Sequence, residues 1–281
     1  MKRARMPELP EVEHVVRALR RSVRGRRIVA AEVNLPRLLA SPAPASFKRK
    51  LRGARITGIN RRGKYILIEL DNEHVLMVHL RMTGKFVCIG PDHALPPYPH
   101  VVFYLDDERR LVFCDMRQFG RMRLVAARKL ATLPQIAALA PEPLTDDFSL
   151  ASFRETLARS RRSLKQLLLD QTKILGLGNI YASEALFLAR ISPLKAAHSL
   201  SRERAAKLHQ AVRAVLQEAI DAGSTLRIDL GDGVGSYFGT TERFWRVYER
   251  AGEPCLNCGT KIRRVVQGGR STYYCPKCQR N

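Results

Sequence analysis

No stretch of this sequence strings together the roughly 18 apolar residues that a membrane-spanning helix needs, so a protein built on such helices is not expected. A secretory leader is not expected either. The opening MKRARMPELPEVE passes from basic residues to acids and prolines instead of an apolar stretch. Acidic residues are few, 26 Asp and Glu against 49 Lys and Arg, which gives a formal charge of +23. Such an excess repels itself and persists where the partner is a polyanion. An acidic membrane surface is the alternative, but no segment reads as a basic amphipathic anchor. Nucleic acid is therefore favoured. No internal repeat is present. With 45% hydrophobic and 27% charged residues in 281, the chain is neither disordered nor too short for one large or two medium domains.

Cysteine is scarce until the C-terminal end. Cys88 and Cys114 sit singly inside apolar runs (KFVCIG and LVFCDM), as inert core thiols do. The other four form Cys255-x-x-Cys258 and Cys275-x-x-Cys278, with 16 residues between the pairs. That is the spacing of a four-thiolate zinc site, in which two tight knuckles supply a tetrahedron. A pair of disulfides is the alternative, disfavoured because two-residue spacing suits metal and the chain reads as intracellular. One structural Zn2+ is expected. By itself it does not say what the module binds.

The apolar pattern changes twice along the chain. A helix is predicted from Glu11 to about Val23, with Val12, Val15, Val16, Leu19 and Val23 on one face and arginines on the other. From there to about Val125 come short alternating or apolar runs, such as KYILIEL, HVLMVHL and HVVFYL, cut by turn signals; they predict an all-β sandwich or barrel. ALAPEPLTDD (138–147) reads as a linker. The pattern is helical from Leu150 to about Ala222, followed by a Gly-rich loop, GDGVGSYFG, and the cysteine module. The expected fold class is multidomain α+β. It has a β-sandwich with a leading helix (7–135), a linker (136–149), a helical domain (150–246) and a zinc finger (247–281), with residues 1–6 as an extension absent from the mature protein.

Within the helical half, QTKILGLGNIYA spaces Gly176 and Gly178 for a tight turn, and Asn179 opens a helix whose free amides suit a phosphate. Alone, such a sequence is most often a turn with a good cap. In company with PELPEVE (Pro7 to Glu13), RRGKY around Lys64, HLRMTG around Met82, DMRQFG around Phe119 and the terminal QGGRSTYYCPKCQ, it closely resembles the formamidopyrimidine-DNA glycosylase family. These are bacterial base-excision enzymes that remove oxidised purines. The resemblance runs in order from Met6 to Arg280. PELPEVE, GNIYASEALF and GGRSTYYC resemble this purine-directed branch more than the endonuclease VIII type, which prefers oxidised pyrimidines.

The resemblance implies a helix–two-turns–helix motif in the helical domain, damaged double-stranded DNA as partner, and a monomer in the bacterial cytoplasm, associated with the nucleoid. Pro7 matches the N-terminal proline whose secondary amine forms a Schiff base with the damaged sugar, and Glu8 matches the general acid/base. Lys64 matches a hairpin lysine assigned to phosphate contact and proton transfer, and Arg270 the finger arginine on the target phosphate. Met82, Arg117 and Phe119 match the residues that fill the gap left by the extruded base; Arg161 and Asn179 match further DNA contacts.

Without the family, Pro7 and Glu8 would read as a stiff arm, Lys64 as a surface lysine, and Met82 and Phe119 as core. Departures from the pattern also stand. Residues 1–5 precede the expected initiator Met6; if they stay, the Pro7 nitrogen is an amide and the chain becomes a silent damage-binding protein. Tyr98 replaces a histidine contact of many relatives, and the segment from Leu226 to Arg250 differs from the usual loop over the flipped base.

Overall fold

A computed structural model of the protein describes residues 6–223 and 245–280; the expectations for residues 1–5 and for the Gly-rich loop lie outside the described residues. The described residues fall into two compact units, one holding 6–137 and 223 and the other 138–222 with 245–280.

In the first unit, α1 (Leu9–Val23) starts two residues earlier than its apolar period predicts. Pro10 is tolerated in the first turn, where an N–H has no partner to lose. Glu8 and Glu11 close a capping box, with the Glu8 N–H donating to Glu11 Oε2 at 2.9 Å. There follow β1 (Ile28–Val33), β2 (Leu39–Ser41), α2 (Pro44–Leu51), β3 (Ile56–Arg62), β4 (Tyr65–Leu70), β5 (His74–His79), β6 (Gly84–Ile89), β7 (Pro99–Leu105), β8 (Arg110–Asp115), β9 (Arg121–Ala126) and the single turn α3 (Pro134–Ala137). Four strands pair in the order β1-β7-β8-β6 and five in the order β2-β9-β5-β4-β3, forming a sandwich. β2 and α2 escape the sequence pattern. Three residues are too few for a period, and Pro36, Pro42 and Pro44 read as loop.

The core takes Val15, Val16 and Leu19 from α1, Phe47 and Leu51 from α2, and inward residues of both sheets such as Ile66, Val78, Phe103 and Phe113. Runs such as HVLMV are apolar without alternation because both faces are covered. Leu76 and Val78 enter the core, while Val75 and Met77 pack outward against Leu130, Leu133 and Ile136. Cys88 and Cys114 are both buried, on opposite faces of the four-stranded sheet.

The second unit holds α4 (Leu150–Ala158), α5 (Leu164–Leu168), α6 (Asn179–Leu188), α7 (Arg202–Asp221) and a hairpin of β10 (Arg263–Gln267) and β11 (Arg270–Tyr274). Ser149 and Ser201 cap α4 and α7 through their hydroxyl oxygens. α6 is buried from Ile180 to Phe187, packed by α7 and β11. Its Glu184, 2% exposed, accepts the N–H groups of Arg246, Val247 and Tyr248 at 2.9–3.0 Å and so fixes the strand of chain that enters the finger. Among the described residues no helix is long and apolar enough to cross a membrane.

Candidate active site and metal centre

The sequence-predicted residues divide between the units. Pro7, Glu8, Lys64, Met82, Arg117 and Phe119 lie in the first; Arg161, Asn179, Arg270 and the four cysteines lie in the second.

Pro7 and Glu8 are buried at the head of α1. Lys64 occupies, with Gly63, the two-residue turn between β3 and β4, closed by the Arg62–Tyr65 pair; Gly63 supplies the positive φ of 56°. The turn is braced to α1. Arg61 bonds Glu13 Oε2 at 3.1 Å and donates to Gly63 O at 3.1 Å, while Arg17 holds Glu13 Oε1 at 2.9 Å. Burial pushes the Glu13 carboxyl up, but the bonds and charges of Arg17 and Arg61 outweigh it and hold it below the usual range. Lys64 is 8% exposed, unlike an ordinary surface lysine.

Beside that turn lies a residue the sequence reading missed. His79 stands opposite Tyr65 in the ladder, their rings edge to face at 4.9 Å, and its Nδ1 accepts the Arg81 N–H at 3.0 Å. Burial, then the charges of Arg81 and Lys64, press its pKa down to about 3. The ring is therefore neutral, with its proton on Nε2. Between pH 6.5 and about 3 the unfolded chain binds a proton that folded His79 refuses, so stability falls as pH falls through that window. The slope from this residue reaches about 1.4 kcal/mol per pH unit. Acid titration of unfolding should be flatter in His79→Gln; an equal slope in both proteins refutes the assignment.

Met82 is half-buried in the turn between β5 and β6. Arg117 and Phe119 lie between β8 and β9, with the guanidinium 5.0 Å from the ring centroid. Phe119 is 48% exposed, so it is not a core residue.

In the second unit, Arg270 is exposed at the base of a two-residue turn, Gly268-Gly269, with φ of 54° and 74°. Glycine meets that left-handed geometry at no steric cost. Arg161 is exposed between α4 and α5. Asn179 opens α6, as the sequence predicts. Gly178, in extended conformation, is the residue that caps α6, and Asn179 is already helical. Its Nδ2 donates to Ser271 O at 2.8 Å, tying the hairpin to the helix, while its Oδ1 is buried without a hydrogen-bond partner. Two supports went unread. Lys165, 1% exposed, donates from Nζ to Asn179 O at 2.8 Å and to Ser183 Oγ. The Gln171 amide clamps the glycine turn, accepting from Gly176 N and donating to Leu177 O, both at 2.9 Å.

The four finger cysteines bring their sulfurs within 4.8 Å of one another. Cys255 and Cys278 are 3.9 Å apart, and Cys258 and Cys275 3.5 Å. Those separations are far beyond an S–S bond of about 2.05 Å. They match the edge of about 3.8 Å that a tetrahedron with Zn–S of about 2.3 Å requires. Unaided, the thiols would ionise unevenly. Hydrogen bonds from Thr260 pull Cys258 down to about 6, while burial and the neighbouring sulfurs push Cys278 up to about 12. A divalent cation supplies the charge that lets all four bind as thiolates. The finger is a site for one structural zinc, with no ligand position left for water.

Comparison with known proteins agrees along nearly the whole chain. Residues 6–122 match the family described as the formamidopyrimidine-DNA glycosylase N-terminal domain, 139–229 its H2TH domain, and 252–281 the zinc finger found in FPG and IleRS. The formamidopyrimidine-DNA glycosylase of Heliobacterium modesticaldum is 44% identical over 278 residues, covering 98% of this chain and 100% of that one. Its Chloroflexus aurantiacus counterpart is 46% identical over 276 residues, covering 98% of each. Among solved structures, MutM in complex with DNA containing carbocyclic 8-oxo-G superposes with a TM-score of 0.89 at 36% identity, covering 98% of this chain and 100% of that one. The Lactococcus lactis enzyme with DNA containing an oxidised pyrimidine gives 0.90 at 35%, with the same coverage.

Proposed function

The chain belongs to the formamidopyrimidine-DNA glycosylase family, and from that premise we propose that it excises oxidised purines (8-oxoguanine and formamidopyrimidines) from duplex DNA and then cuts the strand. The observation that carries the reading is the brace from Glu13 through Arg61 to Gly63, which ties the Lys64 turn to the helix headed by Pro7 and Glu8.

The Pro7 nitrogen, freed as the chain terminus, attacks the anomeric carbon, and the glycosidic bond breaks as the base leaves with a proton. The sugar opens to an iminium, whose positive nitrogen draws electrons from the neighbouring C–H bond. Loss of that proton expels the 3′ phosphate, and a second elimination expels the 5′ phosphate. Glu8 moves the protons at the sugar oxygen. Lys64 serves the eliminations, and Arg270 holds the target phosphate in a planar fork. The protein acts as a monomer on chromosomal DNA in the cytoplasm. Release of base from duplexes holding 8-oxoguanine or 5-hydroxycytosine tests the substrate class; faster release of 5-hydroxycytosine reverses it.

Phosphate contact has a separate signature. Each phosphate neutralised by a cation contributes about −0.9 to the slope of log affinity against log salt. Lys64→Ala and Arg270→Ala should each flatten that slope by about one unit. Asn179→Ala should weaken binding with the slope intact, since an amide releases no counterion. Unchanged slopes in both cation variants place the phosphate contacts elsewhere.

A further inference from the structure

Left-handed backbone is costly for a residue with a side chain and persists where surrounding contacts enforce it. Three such residues stand at one end of the sandwich: Arg81 (φ 57°) between β5 and β6, Tyr98 (φ 60°) just before β7, and Gln118 (φ 58°) between β8 and β9. The strand register brings them together, since Gly84 pairs with Asp115 and Pro99 with Cys114.

Asp115 is the residue these loops share. It is fully buried, and each of its polar groups holds a loop. Oδ1 accepts from Thr83 Oγ1 and from Arg117 N at 3.2 Å, and Oδ2 accepts from Gly120 N at 2.7 Å. Its N–H donates to Tyr98 O at 3.3 Å; its carbonyl accepts Gln118 N–H at 3.2 Å and His100 Nε2 at 2.8 Å. Thr83 Oγ1 also accepts the Arg117 N–H at 3.0 Å. Beneath, the Phe113 ring leaves no room for a side chain on either flanking glycine. A Cβ at Gly84 would come within 2.9 Å of its Cζ, and one at Gly120 within 2.7 Å. Above, Tyr98, Met116 and Phe119 are each about half exposed, which is unusual for large apolar side chains gathered at one edge.

We propose that Asp115 is the positioning residue that fuses these three loops into one preassembled insertion element, so that Met82, Arg117 and Phe119 enter the duplex together. This rests on the reading that those side chains fill the gap left by the extruded base. Loops ordered separately would lose their freedom at the moment unstacking has to be offset. A lock set in advance removes that cost from the insertion step.

The test uses full chains beginning at Pro7. Asp115→Asn keeps one acceptor oxygen but turns an N–H toward the donors on the other side, releasing one loop. Excision of 8-oxoguanine from duplex should fall about a hundredfold, the scale of a small misplacement. The fluorescence rise of 2-aminopurine beside the lesion should fall with it. Strand cleavage at a preformed abasic site in single-stranded DNA, where no gap needs filling, should stay within about twofold of the parent. Thr83→Val should shift the same ratio in the same direction, and Thr83→Ser should restore it; this pair decides the matter if Asp115→Asn does not fold. Equal losses on both substrates, or full duplex activity, overturn the lock. Phe119→Ala tests the underlying reading separately: an unchanged 2-aminopurine signal there refutes gap filling itself.

Discussion

Protein that begins at Pro7 should be trapped by borohydride on DNA containing an abasic site, and protein carrying even one residue on that nitrogen should not. The reason is electronic. In a peptide bond the lone pair is delocalised into the carbonyl, so it cannot attack the sugar or be shared in an iminium. In enzymes that depend on a covalent nucleophile its loss costs several orders of magnitude, so strand cleavage should drop by about a thousandfold or more. Pro7→Gly at the terminus should fall between the extremes. Its primary amine still forms an imine, but that imine must gain a proton before it draws electrons, whereas the proline iminium is charged from the start. Mass measurement of the active chain and mapping of the adduct check the assignment together. An adduct on Lys64 would sink it.

Replacing any one of Cys255, Cys258, Cys275 or Cys278 by Ser should bring DNA binding down by about a hundredfold or more while the first unit stays folded. The finger has little else to hold it. Among the described residues its apolar cluster is Val247, Ile262 and Phe187, with Tyr273 half-buried against them, packed around the cysteines. In such modules the metal supplies about 10–16 kcal/mol, which is in effect the folding energy. The turn of Gly268 and Gly269 that carries Arg270 depends on the same scaffold, as does the bond from Asn179 to Ser271. Among the described residues the core of the first unit shares none with it. Hydrogen exchange should therefore show protection lost in 247–280 and kept in the sandwich. Folded protein with full activity and no zinc on metal analysis contradicts the claim.

Most of the sandwich is legible in the sequence because a strand declares itself locally, by a short apolar run between turn residues. The zinc ligands are legible for the same reason: the pairs are two residues apart. What could not be read depends on partners far along the chain. Lys165 lies in LKQLLL like any helix-surface lysine, and only the approach of Ser183 and the Asn179 carbonyl shows why it is buried. Asp115 ends an apolar strand, an odd place for a carboxylate, yet its donors come from Thr83, Arg117 and Gly120. His79 looks like a strand end until the Tyr65 ring meets it and the Lys64 charge bears on it. That Gly178 is the cap and Asn179 the first helical residue depends on backbone angles, which Gly-Asn before an apolar run leaves open.

The two cysteines outside the finger bear on how the protein can be handled. Burial pushes the Cys114 thiol up to about 11 and raises Cys88 as well, despite the Arg109 guanidinium nearby. Thiolate is the species that reacts with maleimides and other alkylating dyes, so both sulfurs are silent at neutral pH. The remaining four are committed to the metal. A cysteine introduced at an exposed position such as Arg128, in the turn after β9, would thus be the single free thiolate of the chain. Site-specific attachment of a fluorophore for watching the protein move along DNA needs no prior removal of native cysteines.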